Sequence, residues 1–216
     1  MSGAQKTEIG DRMVKRFPLY LRVLREMAEQ GEAYASGPVV AKILALDPIV
    51  VRKDLSQTGV RGTPRLGFPL VEIISAIEHF LGWNTATEAV LAGAGRLGSA
   101  LLGYAGFRDQ GITIVAAFDA NLKKRGAIAG VPIFPASQIT ETVRRLKVTI
   151  GILTVPADQA QVVADALIAG GIRGIWNFTP VQLTVPANVK IKREDLAASL
   201  AVLSRRLRHG HGEKSK

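Results

Sequence analysis

The 216-residue sequence predicts an α/β protein in which a small helical unit with a β-hairpin precedes a parallel sheet covered by helices. Three observations predict it. Helix start and stop signals follow one another closely through residues 15–81, interrupted by a single glycine- and arginine-rich stretch. From residue 89 to 178, short β-like apolar runs alternate with helix-like runs, the pattern of a parallel sheet with crossover helices. Near the chain end Leu196, Leu200, Leu203 and Leu207 are spaced four, three and four apart, one stripe of a helix. The corresponding boundaries are 1–84, 85–190 and 191–216.

Residues 1–14 are mixed and polar and are expected to be mobile. The text KRFPLYLRVLREMAEQ then sets Leu21, Leu24 and Met27 on one side of a helix that Gly31 stops. Ser36 is a predicted N-cap, with Pro38 in the first turn and Val40, Ile43 and Leu44 facing inward. Asp47-Pro48 opens the next helix, in which Val51 and Leu55 point inward and Arg52 and Lys53 point to solvent. Two short helices joined by a tight turn, the second of them basic, make a helix-turn-helix. The following GVRGTPRLGF, residues 59–68, reads as a hairpin wing, and Val71–Leu81 as a further helix.

In the second half, strands are expected at Ala89–Ala92, Ile112–Phe118, Val148–Val155 and Gly174–Phe178. Helices are expected at Leu97–Tyr104, Ala136–Leu146 and Ala157–Ala169. A short β-like piece, Val189–Ile191, precedes the last helix, which starts near Glu194.

Gly93-Ala94-Gly95-Arg96-Leu97-Gly98 fits G-x-G-x-x-G. The pattern alone is weak, but here it leaves a predicted strand and enters a small-residue helix. Glycine is required at 93 for a tight turn, at 95 for close approach of a pyrophosphate, and at 98 for helix–strand packing. The helix N-terminus then offers free N–H groups to phosphate oxygens. Asp119 ends the next strand, where a carboxylate accepts hydrogen bonds from an adenosine ribose and repels a 2′-phosphate, favouring NAD(H). Lys123, Lys124 and Arg125 leave the opposite preference open, since a basic group there would hold that phosphate.

Composition narrows the function classes. Without cysteine there is no disulfide, thiolate metal site or thiol nucleophile. No apolar run reaches the roughly 18–20 residues that cross a bilayer, and no secretory leader is apparent; the cytoplasm is the expected location. The net charge of +10 is spread unevenly: residues 1–84 carry eleven Lys/Arg against nine Asp/Glu. Within 36–68, however, Lys42, Arg52, Lys53, Arg61 and Arg65 face only Asp47 and Asp54, a local basic face of the kind that neutralises phosphates. Hydride transfer to a carbonyl usually needs a proton donor beside the nicotinamide. The three histidines, His79, His209 and His211, do not follow any of the predicted sheet strands. No catalytic residue and no metal ligand set is therefore expected.

Taken together, FPLYLRVL (17–24), VVRKDLS (50–56), GAGRLGSALLGY (93–104), AAFD (116–119), GVPIF (130–134), LTVPADQAQVVADAL (153–167) and GIRGIWNFTPVQLTVP (171–186) resemble the Rex family of redox-sensing transcriptional repressors. The resemblance covers almost all of the chain after residue 15. It implies a homodimer of winged-helix and Rossmann domains on an inverted-repeat operator, with a C-terminal helix swapped onto the partner. It further implies that NADH favours a closed form that leaves double-stranded DNA, while NAD+ permits repression. By position, Gly93, Ala94, Gly95, Arg96, Leu97, Gly98 and Asp119 would hold the adenosine and pyrophosphate. Tyr104, Thr154, Val155, Pro156, Asn177, Phe178 and Thr179 would lie toward the nicotinamide. Ser36, Arg52, Lys53, Ser56, Arg61 and Arg65 would meet DNA, and Arg22, Tyr104 and Asp195 would form a switch between domains and subunits.

The wing departs from the family pattern. Thr63-Pro64-Arg65-Leu66-Gly67-Phe68 stands where a Lys-Arg-Gly-Val-Gly-Tyr stretch is usual, so Pro64 displaces the minor-groove arginine, with Arg61 and Arg65 as substitutes. Plainer readings stand beside these. Arg52 and Lys53 are also compatible with a solvated helix face, Tyr104 with a core ring at the surface, and Arg22 with Asp195 as unrelated surface charges worth about 0–1 kcal/mol. At the level of function, the rivals are an NAD-dependent oxidoreductase with an accessory DNA-binding module and a DNA-binding protein whose sheet domain only dimerises.

Overall fold

The computed structural model describes residues 3–83, 87–121 and 126–209. It divides into two compact units, Met1–Ala86 and Thr87–Lys216. The junction residues 84–86, the basic residues Lys123, Lys124 and Arg125, and the tail beyond His209 lie outside the described residues.

The first unit contains α1 (Gly3–Glu29), β1 (Tyr34–Ala35), α2 (Gly37–Leu44), α3 (Pro48–Ser56), β2 (Phe68–Pro69) and α4 (Leu70–Leu81). Helix α1 begins at Gly3, so the mobile segment expected over residues 1–14 is instead largely helical. Met13 in its first half packs against the core, and Pro18 is accommodated within the helix. Phe17, Tyr20, Leu21, Leu24 and Met27 form its buried face, at spacings of three and four. They meet Val40, Ala41, Val51, Leu55, Ile73 and Ile77 in one core.

Both predicted caps form: the Ser36 side chain accepts from the Val39 N–H, and Asp47 Oδ1 accepts from the Ile49 N–H at 2.6 Å. One facing is corrected. Ile43 is 55% exposed, and Ala41 takes the inward place beside Val40, because α2 is only eight residues long and its inward face is one turn wide.

The wing is also shorter than the predicted hairpin. It consists of one antiparallel bridge, Thr63 to Gly67, and its base is held by pairing of Phe68 and Pro69 with Ala35 and Tyr34. Pro64 has no N–H to extend a ladder, and Gly59 and Gly62 have no side chains to pack. The Leu66 N–H donates to the Thr63 carbonyl at 3.2 Å, closing a turn with Pro64 second and Arg65 third. Arg65 has φ +67°, the left-handed region that a type II turn demands at its third position and that usually selects Gly or Asn.

The second unit runs β3 (Thr87–Ala92), α5 (Arg96–Leu102), a 3-10 segment (Ala105–Gln110), β4 (Ile112–Asp119), β5 (Gly126–Ile128) and β6 (Val131–Pro135). It continues with α6 (Ile139–Leu146), β7 (Ile150–Leu153), α7 (Ala160–Gly170), β8 (Gly174–Asn177), β9 (Lys190–Arg193) and α8 (Leu196–His209). The seven strands lie in the order β5-β6-β4-β3-β7-β8-β9, parallel throughout except for the β5–β6 pair. Along β3, Val90 and Ala92 face one core and Ala89 and Leu91 the other, so both faces of the sheet are buried at its centre.

Strand β3 starts the sheet, the chain then moves out to β4 and β6, and it returns to β7 on the other side of β3. The strand order therefore reverses between β3 and β7, the place where open parallel sheets leave a crevice at their carboxyl ends. The alternation of strand and helix fails twice: β4 reaches β6 through the hairpin strand β5, and β8 joins β9 with no helix between them. The structure also shortens α5, which ends at Leu102 before Gly103 and leaves Tyr104 in the linker to the 3-10 segment.

Candidate functional site

At the β3/β7 reversal the chain turns on three glycines with three different surroundings. Gly93 has φ +100°, and a Cβ there would stand 2.7 Å from the Thr154 carbonyl. At Gly98, the third residue of α5, a Cβ would overlap the Gly93 carbonyl oxygen. Those two positions are closed by protein. A Cβ at Gly95, the N-cap of α5, meets no heavy atom within 4 Å. Gly95 is thus spared a side chain by space that the chain itself leaves empty, in front of a helix end whose first N–H groups have no intrahelical acceptors.

Thr154 fastens the loop from the opposite strand. Its N–H donates to the Ala92 carbonyl at 2.9 Å, and its Oγ1 lies 2.8 Å from the Gly93 carbonyl and 3.1 Å from that of Ala92. From the other neighbour, the Gly93 N–H donates to the Phe118 carbonyl at 2.8 Å, which places Asp119 directly beside the glycine turn. Asp119 is partly exposed and accepts from the Asn121 N–H at 2.8 Å. Ala94 is buried, while Arg96 and Leu97 are exposed.

Val155 and Pro156 follow Thr154, and Val155 packs partly against the core. Phe178 lies just past β8, its N–H donating to the Leu153 carbonyl and its ring 4.6 Å from that of Trp176. Asn177 and Thr179 are buried, and their polar side-chain atoms are engaged within their own turn. Asn177 Oδ1 accepts from the Thr179 N–H and Oγ1, each at 2.8 Å, and its amide donates to the Val181 carbonyl at 3.0 Å. These two residues shape the loop that carries Phe178.

Tyr104 is 58% exposed and covers Gly106, where a Cβ would meet its ring at 2.6–2.8 Å. Its ring begins an edge-to-face series, Tyr104 to Phe107 at 5.1 Å and Phe107 to Trp176 at 5.9 Å. Trp176 Nε1 in turn donates to Glu194 Oε1 at 3.2 Å. Next to Glu194, Asp195 accepts from the Ala198 N–H and so caps α8. Sequence reading missed Phe107, Trp176 and Glu194, which lie up to 87 positions apart and carry no local pattern.

In the first unit, α3 and the wing border a concavity of about 1140 Å³ lined by Ser36, Ile49, Arg52, Ser56, Arg61 and Arg65 among others. Lys53 is exposed outside it, and Arg22 is exposed on α1. Behind α3, Asp54 is buried. Arg16 grips it with two bonds, Nε to Oδ2 at 2.6 Å and Nη2 to Oδ1 at 2.9 Å, and the Tyr20 hydroxyl donates to Oδ2 at 2.7 Å. The bond to Asp54 raises the Arg16 guanidinium further, against desolvation. Burial, then the Asp54 bond, raises the Tyr20 phenol. The carboxylate is thereby neutralised inward, leaving Arg52 and Lys53 as the net charge of the outer face. Val51, Asp54 and Leu55 are the inward positions of α3, so the periodicity of that helix was the available signal for this lock.

Comparison with known proteins bears on both units. Residues 8–56 match the family model "Putative DNA-binding protein N-terminus", and residues 84–181 match that of the CoA binding domain. The redox-sensing transcriptional repressor Rex of Treponema denticola is 44% identical over 191 residues, covering 88% of this chain and 91% of that protein. The Rex of Bacteroides fragilis is 37% identical, covering 93% and 92%. Among solved structures, RSP in complex with β-NAD+ and operator DNA matches with a TM-score of 0.85 at 30% identity, covering 94% of this chain and 97% of that one. RSP in complex with β-NADH matches with a TM-score of 0.79 at 30% identity, over 93% and 94%. The curated relatives are repressors, which decides against the oxidoreductase reading.

Proposed function

Because the chain belongs to the Rex family of redox-sensing transcriptional repressors, we propose that it binds an inverted-repeat operator as a homodimer through its winged helix and leaves it when NADH occupies its Rossmann unit. The observation that carries this reading is the glycine turn: Gly93 and Gly98 are closed by protein while Gly95 faces empty space beside Asp119. That cradle fits an adenosine diphosphate moiety, which NAD and coenzyme A share. The ribose carboxylate Asp119 speaks for NAD(H).

In this reading residues 1–84 bind DNA, 85–190 bind the dinucleotide and 191–216 join two copies. The N-terminus of α5 holds the pyrophosphate through backbone N–H groups from Arg96 to Gly98. Val155, Pro156 and Phe178 form an apolar wall for the nicotinamide, with Tyr104 at its mouth and Asn177 and Thr179 fixing the Phe178 loop. Such a wall prefers the uncharged ring of NADH to the cationic ring of NAD+, because burying an unpaired charge is costly. A ligand shifts a conformational equilibrium only by its affinity ratio between the two states, so about 100-fold discrimination supplies about 2.7 kcal/mol.

Leu200, Leu203 and Leu207 are 66%, 53% and 60% exposed on α8, an apolar stripe that a partner subunit, through a swapped helix, would bury. Arg22, Tyr104 and Asp195 are proposed as the polar contacts that differ between the DNA-bound and released dimers. On DNA, Ser36, Arg52, Lys53 and Ser56 serve the helix-turn-helix, and Arg61 and Arg65 the wing. A cytoplasmic location accompanies this reading, and no helix among the described residues is long and apolar enough to cross a membrane.

The test is anisotropy of a labelled duplex, selected by the protein from a random pool in the presence of NAD+, titrated separately with NADH and NAD+ at fixed salt. Release by NADH with retention in NAD+ is the expected result. Equal occupancy in both ligands would refute redox control.

A further inference from the structure

The outer face of α3 carries one residue that charge and hydrogen bonding leave without a task. Val51, Asp54 and Leu55 point inward, whereas Ile49, Arg52 and Ser56, spaced three and four apart, line the concavity shared with the wing. Ile49 is 66% exposed there, in the first turn of the helix. Its backbone N–H already donates to Asp47 Oδ1 at 2.6 Å, so it has none to offer a phosphate. Pro48 before it has no N–H at all, which leaves the branched apolar side chain as what this turn presents. Arg52 stands one turn further along the same face, and Arg61 and Arg65 border it from the wing.

We infer that Ile49 is a sequence-specifying residue of the DNA interface, reading the C5-methyl group of a thymine in the major groove. Recognition helices direct their N-terminal residues to base edges. The groove floor presents hydrogen-bond donors and acceptors from every base pair and a single apolar group, the thymine methyl. Isoleucine has no complement among the donors and acceptors, and the arginines around it match the phosphates that flank such a floor. Arg52, three residues on, then falls to a neighbouring base pair or phosphate, so the apolar and the cationic contact specify adjacent positions. The inference rests on the DNA-binding reading and adds to it a residue and the chemical group it recognises.

The test substitutes deoxyuridine for each thymine of the selected operator in turn, removing one methyl and nothing else. Full-length wild type, Ile49→Ala and Ile49→Val are compared by anisotropy at fixed salt. At one thymine per half-site, wild type is expected to lose about fourfold in affinity for the methyl, the worth of one buried methyl-sized group. Ile49→Ala binds the thymine and deoxyuridine duplexes equally at that position, and Ile49→Val retains discrimination. Unchanged thermal unfolding of Ile49→Ala shows that the exposed site leaves the fold intact. Discrimination by Ile49→Ala equal to wild type at every thymine overturns the inference while leaving operator binding standing. Failure of the wild type to enrich any sequence from the pool overturns both.

Discussion

Replacing Gly95 with alanine separates the ligand cradle from the fold. Gly95 has φ −72° and ψ −163°, a backbone that alanine adopts freely, and its added Cβ meets nothing within 4 Å. Stiffening the unfolded chain contributes about 0.4–1 kcal/mol in favour of alanine. Losing glycine as an N-cap costs a similar amount. The two offset, so the unliganded variant should unfold within about 0.5 kcal/mol of wild type. Bound ligand reverses that equality. At a hundredfold excess over its dissociation constant, NADH stabilises wild type by about 2.7 kcal/mol. For a unit of about 130 residues that is roughly 10 °C in melting temperature. If the pyrophosphate sits where proposed, the Gly95→Ala methyl takes its space, and the NADH-induced shift should vanish. Gly98→Ala should behave oppositely. Its Cβ overlaps the Gly93 carbonyl oxygen, so the unliganded protein itself should lose about 1–3 kcal/mol. Differential scanning calorimetry with and without NADH reads both effects. A Gly95→Ala variant that keeps the full NADH shift would refute the placement of the pyrophosphate.

Further predictions concern the recognition helix, the wing and the cofactor preference. Arg16→Ala leaves the buried Asp54 carboxylate with Tyr20, and urea unfolding should show a loss of about 3 kcal/mol, the low end for a broken buried pair because Arg16 keeps a quarter of its side-chain surface. The raised Tyr20 phenol stays neutral in the fold while the unfolded chain ionises, so its contribution is complete below about pH 10 and falls away above it. Tyr20→Phe should lessen the loss of stability between pH 9 and 11. Arg65→Gly relieves the left-handed backbone of a non-glycine residue, gaining about 1 kcal/mol in thermal unfolding. It should also lower the salt slope of operator binding by about one per protomer. Asp119→Asn removes the repulsion of a 2′-phosphate, and calorimetry should show the preference for NADH over NADPH narrowed by at least about tenfold.

The glycine turn was legible because its requirements are local: a strand, a tight turn, glycines where a Cβ would clash, and a carboxylate at the end of the next strand. The caps Ser36 and Asp47-Pro48 announced α2 and α3 for the same reason. What was not legible depends on distance or on compensation. The grip of Arg16 on Asp54 spans 38 positions, and the series from Tyr104 to Trp176 is assembled only when β8 docks beside β7. The hairpin strands β5 and β6 are short and interrupted by Pro132, so they resembled loop. The start of α1 was obscured by a polar run with little apolar periodicity. Ile43 shows the limit of periodicity in an eight-residue helix, where one inward turn leaves the neighbouring position free to face solvent.

The central claim is that one chain converts the redox state of a nicotinamide pool into occupancy of DNA. Its most direct test is operator occupancy measured by anisotropy while the NADH:NAD+ ratio is varied at a constant total, repeated at a second, tenfold higher saturating total. The account predicts that occupancy falls as the ratio rises and that the two curves superimpose on the ratio axis. Occupancy that stays constant across the ratio, or that follows the total and ignores the ratio, would contradict it.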